Sequence, residues 1–433
     1  MSLPLTAFEK YMFFDDKPEY PMDSFRLLRF SGTLDVNVFT ESVEAAVAVH
    51  PLLRSIIKKT SRRNYVWYET QQSVSIRNVD ELIPERLRIT AAPGFRVYIK
   101  REQANVSILF QFHHSVSDGL GEMEFLGDVL TDYALRITGK TPPPPQRDAS
   151  LLPLRGRSGL TLKSYVKNFF NTMFTTNQLV FGKADPLKAV AKNPAAVRDY
   201  FAFVTAELSP QQTKQCFGEA KKRGVTVNDY HLAALFSAMY DWRKSLPEMD
   251  FYNENPLYRV SVPVNLRTEQ HKNIPASNTV TMLFLDRRLR QCADKEQLLK
   301  SIKREMDWAK RAEQKHYLLM ALRIRDYLPG GIALMLKPRI CRSTAVLSNL
   351  GRVFANVPLP QQDDGKLVVG KAVLEEVAAS PPIRFGTLIS FSMLTYADRL
   401  CYILRYDSQN MTKAQAEDFL QRFSVLLKKN EAC

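Results

Sequence analysis

The chain has 433 residues, 45% of them hydrophobic and 24% charged, which is enough for one large globular domain or two of ordinary size. Its 60 Lys and Arg against 45 Asp and Glu give a net charge of +15, which favours phosphates, anionic lipid or acidic proteins as partners. We expect no nucleic-acid partner, because no basic run is interleaved with aromatic residues as nucleic-acid modules require.

The sequence also argues against membrane-spanning and secreted classes. No apolar run reaches the roughly 18 residues that span a bilayer, and the N-terminus lacks the basic and apolar regions of a secretory signal. The five cysteines form no CxxC pair, so neither a disulfide framework nor a cysteine-based zinc site is expected. These features predict a cytoplasmic protein.

The first half alternates strand and helix patterns. The run FRLLRFSG is strand-like, and LDVNVFTESVEAAVAVHP has helical spacing, with Asp35 as a candidate N-cap. His50 is interpreted as a residue at the end of that helix. The run NVSILFQFHH predicts a strand whose side chains alternate between two faces. A helix follows and stops near Gly139; its buried stripe is Met123, Leu126, Leu130 and Tyr133.

Four consecutive prolines in TPPPPQRD mark the clearest break, since proline fits neither a helix interior nor a central strand. Residues 141–199 carry nine Lys and Arg against three Asp and Glu. We interpret them as a basic, proline-rich connector that crosses between lobes, with an interfacial amphipathic segment as the alternative. The predicted organisation is an N-terminal lobe (1–140), this connector (141–199) and a C-terminal lobe (200–433).

The second half has the same mixture of patterns. YFAFVTAEL, YRVSVPVNLR and SNTVTMLFLD read as strands, and GTLISFSMLTYADRLCYILRYD reads as a hairpin that turns near Ala397 and Asp398. GVTVNDYHLAALFSAMYDW is helical, and Thr412 with Gln415 forms a capping box for the last helix. Strands and helices mixed in both halves predict an α/β (α+β) protein with two lobes.

Two of the six histidines, His113 and His114, stand side by side at a strand end in HHSVSDG. A metal site, a structural pair and a catalytic pair are the three interpretations. Adjacent strand residues point to opposite faces, so the two imidazoles are poorly placed to share a metal, even with Asp118 as a third ligand. In the catalytic interpretation one imidazole faces a cavity as a general base, while the other braces it. Gly119 would let the backbone turn sharply, and Asp118 or Ser117 would cap the helix.

These residues resemble the HHxxxDG motif of the thioester-dependent acyltransferase superfamily. That superfamily includes chloramphenicol acetyltransferase, condensation domains and wax ester synthase/diacylglycerol acyltransferases. The motif follows a strand and precedes a helix, as in the family. The segments HPLLRSII, GVTVNDYHLAAL, SVPVNLR and LSNLG are similar to further family segments in the same order. The resemblance therefore spans about residues 5 to 428.

The resemblance implies two chloramphenicol-acetyltransferase-like lobes of mixed sheets with helices, and an active-site channel between them. It implies that His114 is the general base. Asp118 would hold the loop through a salt bridge to Arg267, while His113 and Gly119 would shape the loop.

Two further residues come from the segment LSNLG. Ser348 or Asn349 would bound the channel or polarise the carbonyl. No metal site is predicted.

The function implied is transfer of an acyl group from a CoA or carrier-protein thioester to an acceptor hydroxyl, in lipid or secondary metabolism. The alternatives are an amide-forming condensation enzyme and a catalytically idle binding domain; idle relatives tend to lack the second histidine. No cofactor is expected, because the thioester already activates the acyl group. The expected partners are acyl-CoA or an acyl carrier protein and an alcohol or amine, with peripheral membrane contact, in a monomer.

Overall fold

The computed structural model describes residues 2–61, 64–143, 146–157, 170, 173, 182–188, 198–246, 255–337 and 339–428. The helices in these ranges are α1 (Ala7–Asp15), α2 (Val36–Val49), α3 (Gly119–Ile137), α4 (Pro210–Lys222), α5 (Val227–Lys244), α6 (Lys295–Arg311), α7 (Tyr317–Tyr327), α8 (Gly331–Met335) and α9 (Lys413–Lys428). The strands are β1 (Ser2–Pro4), β2 (Asp23–Gly32), β3 (Ser55–Lys59), β4 (Tyr65–Glu69), β5 (Ser75–Asn78), β6 (Phe95–Arg101), β7 (Asn105–His113), β8 (Phe203–Leu208), β9 (Leu257–Asn265), β10 (Val280–Arg288), β11 (Ala345–Arg352), β12 (Val368–Val369), β13 (Ala372–Ser380), β14 (Ile389–Tyr396) and β15 (Arg399–Tyr406).

Each lobe is built on one large sheet. The N-terminal sheet has the strand order β12-β13-β2-β7-β6-β5, and the C-terminal sheet has the order β10-β9-β11-β14-β15-β8. Both sheets are mixed, since β5 runs parallel to β6, and β11 runs parallel to β9 and β14, among otherwise antiparallel pairs. Two mixed-sheet lobes with helices are the predicted architecture, which is confirmed.

The second half of the chain completes the sheet of the first. β12 and β13 belong to the predicted C-terminal lobe, yet β13 pairs antiparallel with β2 along nearly its whole length. The chain then returns to the C-terminal sheet at β14, and the returning residues Pro381, Pro382 and Arg384 line the space between the lobes. This crossing of the chain connects the two lobes next to the space between them.

Local signals account for the elements that carry the site. Asp35 caps α2 by accepting from the amides of Asn37 and Val38. The predicted stripe of α3 is buried, with Leu126, Leu130 and Tyr133 at 0% exposure. Thr412 exchanges both capping-box bonds with Gln415, as predicted. The predicted hairpin is β14–β15, whose turn residues Ala397 and Asp398 both have positive φ.

A third apolar cluster joins the lobes in addition to the core of each. It packs α1 residues against α7, α8 and β10, and includes Phe8, Tyr11, Met12, Met22, Met282 and Leu318. Thr6 and Glu9 form a capping box at the start of α1, and Glu9 is fully buried in a pair with Arg155 at 2.7 Å. These contacts fix α1 in position between the two lobes.

Much of the predicted connector, including residues 158–169, 174–181 and 189–197, lies outside the described residues. The boundaries at 140 and 200 and the crossover interpretation therefore stay predictions. None of the helices in the described ranges combines the length and apolar character needed to cross a membrane.

Candidate active site

A cleft of about 720 Å³ lies between the lobes, with walls from both halves of the chain. The first half contributes α1, β2 and the motif loop (residues 113–119), and the second contributes β9, β10, β11 and the return from β13. Much of the lining is apolar, including Phe8, Met12, Met22, Pro263, Val280 and Met282. An apolar cleft with a few convergent polar groups is typical of small-molecule sites. We call it the central cleft.

His114 is the first residue after β7, and its imidazole lines the central cleft. Its backbone amide donates to the Met22 carbonyl at 2.7 Å, which fixes the start of the loop. Its Nδ1 lies 2.9 Å from the Ser117 carbonyl oxygen. A carbonyl can only accept, so Nδ1 carries the proton and Nε2 of the neutral ring keeps its lone pair. This tautomer is the one a general base needs.

Burial lowers the pKa of His114, because desolvation disfavours the charged imidazolium. The hydrogen bond to the Ser117 carbonyl raises the pKa, while the nearby Arg26 guanidinium lowers it further. The net direction is downward, so the neutral form predominates at physiological pH.

We therefore expect kcat/KM for acyl transfer to rise with pH through a limb centred below 6.5, the usual histidine value, and to level off above it. The sign follows because the neutral base is the active form and its pKa is lowered. Initial rates at subsaturating donor between about pH 4.5 and 8 measure this limb. A limb centred above 6.5 would contradict the assignment.

Asp118 both caps α3 and forms the predicted ion pair. Its Oδ1 accepts from the Gly121 amide at 2.9 Å. Its Oδ2 accepts from Arg267 Nη1 at 2.9 Å and from the Thr279 amide at 2.7 Å. The side chains of Asp118 and Arg267 are only 4% and 11% exposed, so the pair is shielded from water. The carboxylate therefore caps α3 with Oδ1 and pairs with Arg267 through Oδ2.

Residues 276–279, the clamp segment, hold the motif loop from the other lobe. Asn278 Nδ2 donates to the carbonyl oxygens of His114 and Ser115, at 3.0 and 2.8 Å. Arg267 Nη2 donates to the Ser277 carbonyl at 3.2 Å. Bonds to two successive carbonyls fix the backbone at His114, so Asn278 is a positioning residue that the sequence interpretation missed.

His50 supports the clamp segment from behind. It ends α2, as interpreted, but it is also completely buried. Its Nδ1 accepts from the Ala276 amide at 2.8 Å, so its Nε2–H donates to Asp128 at 2.9 Å. Asp128 is held in turn by two bonds from Arg147, at 2.7 and 3.1 Å. Burial lowers the pKa of His50, which keeps the ring neutral in this arrangement.

A buried ion pair, Arg26–Glu122, lies beside the motif loop. Arg26 Nη2 is 2.7 Å from Glu122 Oε2, and the Ser24 hydroxyl donates to the other carboxylate oxygen at 2.9 Å. Burial raises the pKa of Glu122 to about 7, and Arg26 opposes that rise. Ser24 and Arg26 also line the central cleft. The sequence offered no signal for this pair, since its members lie on a strand and a helix about a hundred residues apart.

His113 points away from the central cleft into the N-terminal lobe and is completely buried. Its Nδ1 accepts from the Ser115 amide at 3.2 Å, which places a proton on Nε2, 3.9 Å from the Asp16 carboxylate. Although burial raises the pKa of Asp16, its contacts with His113 and Arg86 lower it overall. His113 thus braces the loop, and it does not line the central cleft.

We expect His113→Ala to reduce stability more than chemistry. The substitution leaves the buried Ser115 amide without its acceptor, at a cost of about 1–3 kcal/mol. Melting temperature and kcat, measured side by side for His113→Ala and His114→Ala, test this division. Equal rate losses with an unchanged melting temperature in both variants would contradict it.

Gly119 lies close to the side chains of Leu350 and Arg26. Its φ is not positive, and a Cβ there would lie 2.7 Å from Leu350 Cδ2 and 3.1 Å from Arg26 Nη2. Leu350 also lines a second cleft, beyond Gly119, with Arg147 and Arg267. The Leu350 side chain therefore stands between Gly119 and this second cleft.

The structure separates the two candidates in LSNLG. Ser348 lines the central cleft. Asn349 is exposed; its Nδ2 lies 3.4 Å from Asn228 Oδ1, and its Oδ1 accepts from the Gly351 amide at 2.8 Å. Of the two, Ser348 alone is placed to meet a ligand in that cleft.

Solved structures share this architecture across nearly the whole chain. The trichothecene 15-O-acetyltransferase TRI3 of Fusarium sporotrichioides is 14% identical, with a TM-score of 0.69 over 99% of this chain and 94% of its own. The starter condensation domain of rhizomide synthetase RzmA is 14% identical, with a TM-score of 0.67 over 99% and 94% of the two chains. This chain has the condensation-domain fold.

Part of the second half of the chain also matches a known protein family. Residues 276–426 match the family WS/DGAT C-terminal domain. The matched segment begins at the clamp segment and includes Ser348 and Arg384. The predicted resemblance to the acyltransferase superfamily is confirmed by this segment and by the shared condensation-domain fold.

Two further proteins that are similar to this chain come from Mycobacterium tuberculosis. An uncharacterized protein in its strains CDC 1551 and H37Rv is 25% identical over 311 residues, which cover 68% of this chain and 69% of that protein. Its polyketide synthase associated protein 5 also has the condensation-domain fold, with 13% identity and a TM-score of 0.66 over 98% of this chain and 97% of its own.

Proposed function

We propose that this chain transfers an acyl group from a CoA or carrier-protein thioester to an acceptor hydroxyl, with His114 as the general base. The observation that carries the proposal is the hydrogen bond from His114 Nδ1 to the Ser117 carbonyl, in a cleft between two lobes. That bond leaves Nε2 as the basic nitrogen at the place where the two substrates would meet.

The proposed reaction needs one base and no cofactor. His114 Nε2 takes the hydroxyl proton as the acceptor oxygen attacks the thioester carbonyl carbon, which gives a tetrahedral oxyanion and an imidazolium. Collapse of the oxyanion breaks the carbon–sulfur bond, and the departing thiolate takes the proton from Nε2. The ester and the free thiol are the products, and the imidazole is again neutral.

The residues around His114 suit these steps. Asn278 and Asp118 fix the loop, so the imidazole needs no reorganisation when the proton moves. We assign the oxyanion to the hydroxyl of Ser348, which lines the same cleft. The apolar lining, with Met12, Met22 and Met282, would hold the acyl chain.

The comparisons support acyl transfer as the reaction class. TRI3 is described as an O-acetyltransferase, and the RzmA condensation domain was solved with C8-CoA and Leu-SNAC. The condensation-domain fold also supports a second candidate, amide formation with an amine acceptor. The presence of His114 with a basic Nε2 argues against the idle binding domain.

A panel experiment separates these candidates. The pure protein is incubated with acyl-CoAs of several chain lengths and with matched alcohols and amines of the same carbon skeleton, and products are identified by mass spectrometry. Ester products without amides support the proposal, and amides without esters establish the second candidate. Absence of both products across the panel would overturn acyl transfer to either acceptor class.

A further inference from the structure

Another cavity, of about 740 Å³ and distinct from the second cleft beyond Gly119, adjoins the central cleft at Arg384, which lines both. We call this cavity the basic mouth. Its cations are Lys17, Lys337, Arg339, Arg342 and Arg384, and they come from the end of α1, the chain after α8 and the return from β13. The basic mouth and the central cleft therefore meet at Arg384.

The cations of the basic mouth outnumber its carboxylates. Only two acids line it among the described residues, Asp15 and Glu19. Asp15 pairs with Arg384, and Glu19 pairs with Arg339 at 3.2 Å. Five cations against two carboxylates leave an excess of three positive charges beside the central cleft. A concave surface with such an excess attracts multiply charged anions.

The second cleft, beyond Gly119, differs in charge. Its cations are Arg147, Arg267 and Arg352, and its acids are Glu124 and Asp128, so its excess is one positive charge. Each of these arginines already pairs with a carboxylate, Arg352 with Asp398 at 2.6 Å. An anionic ligand would therefore prefer the basic mouth.

We propose that the basic mouth binds the phosphates of an acyl-CoA donor and that the pantetheine arm runs past Arg384 towards His114. This rests on the proposed function. Coenzyme A carries a ribose phosphate and a diphosphate at one end and its thioester at the other, linked by an extended arm. The protein has features in the same order: the cations of the basic mouth, then the largely apolar central cleft, then His114 within that cleft. Guanidinium and ammonium groups are the usual partners of phosphate oxygens.

Lys337 and Arg339 are the residues to change, because both are exposed and reversal of their charge should leave the fold intact. Lys337→Glu and Arg339→Glu should each raise KM for acyl-CoA by about fivefold, the equivalent of about 1 kcal/mol for a partly exposed ion pair, with kcat unchanged. KM for the matching acyl-pantetheine, which lacks all phosphates, should not change. The matched control is Lys222→Glu at the end of α4, where the lysine is 79% exposed.

Two results of these KM measurements would overturn the basic mouth as the phosphate site. One is an equal rise in KM for acyl-CoA and acyl-pantetheine. The other is a rise for Lys222→Glu as large as for the mouth variants, which would indicate only the general positive field of the protein.

Calorimetric titration with CoA alone separates failure of this site from failure of the proposed function. Weaker CoA binding in the two mouth variants, with no acyl transfer to any acceptor, would retain the phosphate site and reject the reaction. Acyl transfer with CoA binding unchanged in the variants would retain the reaction and reject the site.

Discussion

Replacing His114 with alanine should lower kcat by about 10²–10⁴, the usual contribution of a positioned general base. The fold should survive, because the imidazole faces the central cleft and its hydrogen bond to the Ser117 carbonyl lies within the same loop. The measurement is kcat with saturating acyl-CoA and acceptor, together with the melting temperature. His114→Asn is the companion variant, since an amide keeps a donor near Ser117 but cannot act as the base.

The control for this substitution is His316→Ala. His316 is half-buried, with a pKa lowered by burial, but it lies outside the central cleft. Its removal should leave kcat unchanged. Wild-type turnover in folded His114→Ala would contradict the role assigned to His114.

The second large effect concerns Asp118 and Arg267. Asp118→Asn places an amide where Oδ2 accepts from both Arg267 and Thr279, and Arg267→Ala leaves the carboxylate without its cation. Removal of one partner from a buried ion pair costs roughly 3–5 kcal/mol, so each variant should lose that much free energy of unfolding and lose activity with it. The double variant should cost much less than the sum of the two single ones, because contacting residues couple.

An exposed pair of the same residue types provides the control cycle. Arg352 and Asp398 are 2.6 Å apart with side chains 60% and 63% exposed, and such pairs contribute about 1 kcal/mol or less. Chemical unfolding of both sets of variants measures the two coupling energies. A coupling for Asp118–Arg267 no larger than that of the exposed pair would show that Asp118 acts only as a helix cap.

The elements around the motif could be predicted because their signals are local. β7 and α3 follow from side-chain alternation, a helical stripe and an N-cap within a few residues of one another. The contact between Asp118 and Arg267 spans 149 residues, and only the family resemblance predicted it. The structure confirms that contact, whereas the roles of His114 and Ser348 in a reaction stay predictions.

The remaining features could not be read from local patterns. β13 pairs with β2 across more than 340 residues, and nothing in its own sequence specifies that partner. His50 looks like an ordinary helix end until the Ala276 amide meets it, 226 residues later in the chain. Buried polar groups must find partners, but which partner they find is decided by tertiary packing.

The most direct test of the central claim is the release of CoA with and without an acceptor. A general base at His114 requires direct attack by the acceptor, so acyl-CoA alone should release almost no thiol. Addition of the acceptor should then give free CoA and acylated acceptor in equal amounts. A rapid release of one equivalent of CoA without acceptor, with the acyl mass retained on His114 in the intact protein, would show that His114 is a nucleophile and would contradict the account.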